Sequence, residues 1–219
     1  MTECFLAIDF DGTIAETDVT DMILNKFARP EWLEIEELWV KGIMGSQECL
    51  TRQMALVDAS LETLLTFVDG ISMDHYFQEF TVFARAKGIP FAVISDGFSL
   101  FIKRILANAN IRGIPIYANR LTEESGRLKA SFTNHAIGCP AGTCKCLTAG
   151  KLSQGLPVVL IGDGRSDFCL ANKADYVFAK GSLISYCKEA GIPFSCFDDF
   201  SDVVRGLQSL DISLPRRVG

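Results

Sequence analysis

Apolar residues fall into two kinds of pattern along this chain. Cys4-Phe5-Leu6-Ala7-Ile8, Ile89-Pro90-Phe91-Ala92-Val93-Ile94 and Leu156-Pro157-Val158-Val159-Leu160-Ile161 are short, unbroken apolar runs that end in polar residues with Gly close by. Runs of this length predict buried strands and are too short for helices. Asp175-Tyr176-Val177-Phe178-Ala179 predicts a further strand, and Phe194-Ser195-Cys196-Phe197 a last edge strand. Ile116 to Leu121 and Leu128 to Phe132 flank Glu123-Glu124-Ser125-Gly126, which predicts a hairpin with Gly in its turn.

Between residues 14 and 88 strong strand signals are absent and helical spacing takes over. Asp18-Val19-Thr20-Asp21-Met22-Ile23-Leu24 starts with a capping residue, and Pro30-Glu31-Trp32 places Pro in a first turn. Ser46 to Val57 and Ser60 to Val68 predict two more helices, the second behind a capping Ser. Phe98 to Ala109, Leu147 to Leu152 and Asp167 to Lys173 predict helices that return between strands. Strands alternating with helices imply an α/β fold, a Rossmann-like doubly wound parallel sheet with helices on both faces. A small helical cap domain is inserted after the first strand. The expected layout is a core of residues 1–13 and 86–219, with the cap at 14–85.

Composition narrows the function classes. The chain has 219 residues, 48% of them hydrophobic, which is enough for a substantial core. Its net charge of -6 argues against nucleic acid or an anionic membrane as partner. No apolar run approaches the roughly 18 residues of a membrane span. Met1-Thr2-Glu3-Cys4 carries no basic region of a secretory leader, so a cytoplasmic location with reduced thiols is expected of the eight cysteines. Cys139, Cys144 and Cys146 lack the spacing of a structural zinc site and read as a tight loop around Lys145. Trp32 and Trp39 read as cap core, and His75 and His135 show no Ser-His-Asp pattern.

Four polar clusters sit at predicted strand ends or in the loops after them. Asp9 and Asp11 follow the first strand, Ser95-Asp96-Gly97 the second, Lys145 lies in Gly142-Thr143-Cys144-Lys145-Cys146, and Asp163 and Asp167 follow the Leu156–Ile161 run. In a doubly wound sheet all four meet at one edge, where ligands bind. Carboxylates this close repel one another unless a cation holds them. The set suits phosphoryl transfer: Mg²⁺ and one ammonium offset the repulsion between a carboxylate nucleophile and a phosphate dianion. A calcium loop starting at Asp9 would need Gly at 14 and Glu at 20, where this chain has Ile14 and Thr20.

These motifs, in this order and over nearly the whole chain, resemble the haloacid dehalogenase (HAD) superfamily of phosphatases. The resemblance implies Asp9 as the nucleophile that forms an aspartyl-phosphate and Asp11 as general acid and base. It implies Ser95 and Lys145 as phosphate-binding residues, and a Mg²⁺ site of Asp9, the backbone carbonyl of Asp11, Asp163 and Asp167. Phe27-Ala28-Arg29-Pro30-Glu31-Trp32 and the Cys-flanked lysine resemble the methionine-salvage branch acting on 2-hydroxy-3-keto-5-methylthiopentenyl-1-phosphate. Ser95-Asp96-Gly97-Phe98 and Ala118-Asn119-Arg120-Leu121 resemble the phosphoserine phosphatase branch. Asp96 stands where Gly is usual there, which adds a carboxylate near the phosphate. Glu16 and Arg52 match the cap residues that would grip an amino acid.

Read residue by residue, alternatives stay open. Lys151 rivals Lys145, Asp167 either ligates metal or caps its helix, and Arg52 is either a substrate anchor or a salt-bridge partner. The expected partner is a small-molecule phosphate ester, and the chain is a monomer or homodimer. Rival functions are a phosphotransferase or mutase on the same fold, a phospho-accepting signalling module, and a silent binding protein.

Overall fold

The computed structural model describes residues 4–209; Met1-Thr2-Glu3, from which the lack of a leader was read, and core residues 210–219 lie outside the described residues. Seven strands form one sheet: β1 (Phe5–Ile8), β2 (Phe91–Phe98), β3 (Ile116–Glu124), β4 (Arg127–Ser131), β5 (Val158–Gly162), β6 (Tyr176–Ala179) and β7 (Phe194–Cys196). Their spatial order is β4-β3-β2-β1-β5-β6-β7. All pairings are parallel except the β3–β4 hairpin. β1 lies at the centre, with β2 on one side and β5 on the other. The chain leaves β1 in both directions, so a crevice opens at the carboxyl ends of these three strands.

The central strands read as unbroken apolar runs because both faces of the sheet are covered. Leu6 and Ile8 face one core with Val93, Val159 and Ile161, while Phe5 and Ala7 face the other with Ala92, Ile94 and Leu160. Each fully buried large apolar side chain contributes about 1.5–3 kcal/mol.

Ten α-helices complete the described residues. α1 (Val19–Phe27), α2 (Trp32–Val40), α3 (Ser46–Met54), α4 (Leu61–Val68) and α5 (Phe77–Ala86) lie between β1 and β2. α6 (Ser99–Asn108), α7 (Lys145–Leu152), α8 (Phe168–Ala171), α9 (Gly181–Ala190) and α10 (Phe200–Ser209) follow the later strands. Asp18 caps α1 by accepting the Asp21 N–H at 2.9 Å, and Ser60 caps α4 by accepting the Thr63 N–H at 3.2 Å. α5 packs on the sheet: Phe77 and Phe80 each sit 4.9 Å from the Phe200 ring of α10, and Phe80 is 5.9 Å from Phe91 of β2.

Two boundaries differ from expectation. β2 does not stop at Ile94 but continues through Ser95-Asp96-Gly97 to Phe98, which pairs with Asn119 after a break in register. The helix expected over Asp167–Lys173 is a 3₁₀ turn, Arg165–Asp167, followed by the single turn of α8. All eight cysteines are free thiols, and among the described residues no helix is long and apolar enough to cross a membrane.

Candidate active site

The turn after β1 is built to expose two carboxylates. The Asp9 N–H donates to Ile161 at 2.9 Å, which keeps Asp9 in register with β5. The Phe10 carbonyl then accepts from Thr13, Ile14 and Ala15, closing a tight turn. Gly12 takes φ +67° within it, and a Cβ there would lie 2.5 Å from Oδ2 of Asp163. Only glycine meets both demands.

Asp9 is buried, and its Oδ1 is 2.8 Å from Lys145 Nζ. The same ammonium reaches Asp167 Oδ1 at 2.6 Å and donates to Ser166 at 2.9 Å. Lys145 opens α7, whose first turn is capped by Cys144 Sγ accepting the Leu147 N–H. It is 4% exposed, whereas its rival Lys151 lies at the exposed end of α7. Asp167 is fully buried, and its Oδ2 accepts from the N–H groups of Asp163 (3.2 Å) and Gly164 (3.4 Å). Asp163 accepts from the Thr13 hydroxyl at 3.2 Å. Asp9, Asp163 and Asp167 each offer an oxygen within 4.8 Å of the others.

Asp11 stands beside this triad with other partners. Its Oδ1 accepts the Val19 N–H at 3.0 Å and its Oδ2 the Ser95 hydroxyl at 3.2 Å. Ser95 is fully buried and accepts the Gly97 N–H at 2.8 Å.

Burial dominates the electrostatics. It pushes Asp9 well above the ordinary carboxylate range; Asp167 and Asp163 add to the rise, and Lys145 opposes it. Burial, then the charge of Asp167, lifts Asp163 to about 6. Burial and the Asp18 charge raise Asp11 to about 7, against the bonds from Val19 and Ser95. For Lys145 burial acts to lower the pKa, and the charges of Asp167 and Asp9 outweigh it, so the ammonium is firmly held. Among the described residues only the Lys145 ammonium contacts this triad of carboxylates, with Lys180 acting on Asp163 from further away, so excess negative charge is left in a buried place. Three hard oxygen donors with that excess are a fit for a divalent cation.

A family model described as haloacid dehalogenase-like hydrolase matches residues 6–172, which contain all of these groups. The chain belongs to the haloacid dehalogenase-like hydrolase family. Among its relatives in that family are two proteins named 2-hydroxy-3-keto-5-methylthiopentenyl-1-phosphate phosphatase. The one from Brevibacillus brevis is 32% identical over 213 residues, 94% of this chain and 95% of that one. The one from Geobacillus kaustophilus is 32% identical over 217 residues, 94% and 96% of the two chains. Similar solved structures include a phosphoserine phosphohydrolase-like protein from Francisella tularensis subsp. tularensis SCHU S4, at TM-score 0.69 and 21% identity over 94% of this chain and 100% of that one. A phospho-aspartyl intermediate analogue of phosphoserine phosphatase matches at TM-score 0.69 and 18% identity, covering 94% and 99%.

In this haloacid dehalogenase-like hydrolase a cavity of about 470 Å³ opens above Asp9 and Asp11. α1, α2 and α3 form its far wall, with Asp21, Glu36, Trp39 and Gln53 among the lining residues. Glu16 lines the cavity. Arg52 does not: it is exposed on the outer side of α3 and pairs with Glu48 at 3.4 Å, so the salt-bridge alternative describes it and the anchor reading is corrected. The physical reason is helical rotation, since the neighbouring Gln53 takes the inward position and donates to Glu36 at 2.8 Å. Trp39 likewise corrects an expectation, for it lines the cavity under the Arg165 guanidinium (5.8 Å from the ring centre), while Trp32 is buried in the cap. Asp96 and Gly97 line the cavity, but the Asp96 carboxylate is already engaged by Ser46, Thr143 and Asn119. Ser46, Trp39 and Arg165 carried no local signal of a role, because only the docking of the helices over the sheet edge brings them there.

Proposed function

We propose that this phosphoric monoester hydrolase is a Mg²⁺-dependent phosphatase that cleaves a small cytoplasmic phosphate ester through an aspartyl-phosphate on Asp9. The observation that carries the reading is the buried Asp9 carboxylate, held at 2.8 Å by Lys145 and grouped with Asp163 and Asp167 under the cavity. Mg²⁺ on Asp9, Asp163, Asp167 and the Asp11 carbonyl would supply the charge neutralisation that lets a carboxylate approach a phosphate dianion.

Asp9 attacks phosphorus as the ester bond breaks. Lys145 balances the charge gathering on the phosphoryl oxygens, and the Ser95 hydroxyl and the Gly97 end of β2 hold them. Asp11, raised to about 7, is divided between its two protonation states near neutral pH. It gives its proton to the departing alkoxide, then takes one from the water that hydrolyses the aspartyl-phosphate. We take α1–α4 as the cap that shields the first of these steps from water.

The names of the relatives support 2-hydroxy-3-keto-5-methylthiopentenyl-1-phosphate as substrate. Phosphoserine fits less well, because Arg52 lies outside the cavity and Arg165 is the one cation among the described residues that line it. A substrate carboxylate would face Glu16, Asp18, Asp21 and Glu36. That acidic wall favours one second reading, an ester whose alcohol carries an ammonium group. A phosphate-release assay with Mg²⁺ over methylthiopentenyl phosphate, phosphoserine and phosphoethanolamine tests the choice. The first ester is expected to exceed phosphoserine in kcat/KM by about 10²-fold, the scale on which a pocket discriminates one small group by fit alone. A preference for phosphoserine overturns the substrate assignment, and full Mg²⁺-dependent release by Asp9→Asn overturns the mechanism.

A further inference from the structure

Asp96 follows Ser95 in β2, and its carboxylate joins three separate parts of the chain. Oδ2 accepts the hydroxyl of Ser46, the first residue of α3. Oδ1 accepts the Thr143 N–H at 2.8 Å and the Asn119 side-chain amide at 3.1 Å. The Asp96 backbone carbonyl takes the same amide at 2.6 Å. The bonds form a closed set: the Ser46 hydroxyl also accepts the Gly142 N–H at 3.1 Å, and the Thr143 hydroxyl donates to Asn119 at 3.1 Å. Ser46, Asn119 and Thr143 are all buried.

The junction is too close for side chains at two places. A Cβ on Gly142 would lie 2.8 Å from both Asn119 and Asp96, and one on Gly45 would strike Pro140. The Gln47 N–H donates to the Pro140 carbonyl at 3.2 Å, so the start of α3 rests directly on the 140–143 loop. That loop belongs to no helix or strand, and two residues after Thr143 it delivers Lys145 to Asp9. The other end of the same contact, α3, carries Cys49, Leu50 and Gln53 into the cavity wall.

We propose that Asp96 is a positioning residue whose carboxylate fastens α3 to the Lys145 loop, so that seating the cavity wall and assembling the phosphate pocket are one event. A glycine at this position supplies no such carboxylate. Without it the Ser46 hydroxyl and Thr143 N–H lose a charge-assisted partner in a buried place. The Lys145 loop and α3 are then free to move independently.

The kinetic arm of the test rests on the phosphatase reading, and the structural arm does not. Amide hydrogen exchange is measured on wild type, Asp96→Gly, Ser46→Ala, their double variant and Asp96→Asn, with turnover of p-nitrophenyl phosphate in Mg²⁺. In both single variants, exchange is expected to rise about tenfold or more in residues 45–50 and 140–147 together, the scale of one hydrogen bond to a charged group. The kcat is expected to fall about tenfold, with no further loss in the double variant because the two residues act as one unit. Asp96→Asn, which keeps an acceptor for Thr143 and a polar partner for Ser46, is expected to restore most of both. Wild-type exchange in either segment of Asp96→Gly overturns the fastening, and additive kinetic losses overturn the coupling. A wild type that releases no phosphate from p-nitrophenyl phosphate, methylthiopentenyl phosphate, phosphoserine or phosphoethanolamine sinks the phosphatase reading and the kinetic role with it, while the exchange result still decides the fastening.

Discussion

Replacing Lys145 with Met removes the ammonium that contacts the acidic centre while keeping a side chain of similar length. Lys145 is 4% exposed, and its Nζ lies 2.8 Å from Asp9, 2.6 Å from Asp167 and 2.9 Å from the Ser166 hydroxyl. Losing one partner of a buried ion pair costs about 3–5 kcal/mol, because the charge left behind is desolvated and unpaired. At about 2–4 °C per kcal/mol for a chain of this size, melting should fall by about 6–20 °C in metal-free buffer. The pH dependence follows from linkage. In wild type the raised Lys145 contributes fully at any pH below the unfolded lysine value, and that contribution is lost only as pH rises through the folded value. In the variant, Asp9 loses the cation that opposes its rise, so its folded pKa lies further above that of the unfolded chain. An acid raised in this way destabilises as pH climbs above its unfolded value, so the deficit should be widest near about pH 8 and shrink towards about pH 5. Calorimetry at both pH values, with and without Mg²⁺, measures it, and added Mg²⁺ should recover part of the loss. A variant that melts within about 1 °C of wild type near pH 8 refutes the reasoning, as does a deficit that grows on acidification.

Three further outcomes follow from single features of the site. Asp11 sits at about 7, and in the proposed mechanism it must be protonated to release the alcohol, so kcat/KM should fall about tenfold per pH unit above that value. Asp11→Asn should lose that limb together with about 10²–10⁴ in rate, and a wild-type profile flat to about pH 9 would contradict the assignment. Gly12→Ala places a methyl 2.5 Å from the Asp163 carboxylate at φ +67°, so it should cost about 1–2 kcal/mol in strain and weaken Mg²⁺ binding at least tenfold by titration calorimetry. Unchanged Mg²⁺ affinity would place the ion away from Asp163. Arg52→Ala, which breaks only an exposed pair with Glu48, should leave stability within about 0.5 kcal/mol and KM within about twofold. A tenfold rise in KM would return Arg52 to the substrate.

The chemistry was legible where it is local. Asp9, Asp11, Ser95 and Asp163 follow directly from strand-ending runs, because an unbroken apolar run between Gly or Pro residues has one stable use in an α/β protein, as a buried parallel strand. The structure places these residues together at the carboxyl edge. The helices α5, α9 and α10 were not assigned individually from sequence. α5 is identified by where Phe77 and Phe80 pack, against Phe200 more than a hundred residues away, and α9 starts without a capping side chain. The choice between Lys145 and Lys151 also waited for packing, which buries the first and exposes the second.

By itself the sequence determined the strand frame, the identity of the acids and their order at one edge, since these depend on short-range pattern and chain connectivity. Tertiary structure alone decided which cap residues face the cavity. Arg52 and Gln53 are adjacent in the chain, yet a helical step of about 100° sends one to solvent and the other to Glu36. It also decided what Asp96 does. In sequence it is an extra carboxylate next to Ser95. In the folded chain its oxygens are taken up by Ser46, Thr143 and Asn119, whose positions depend on how α3 and two distant loops close on one another.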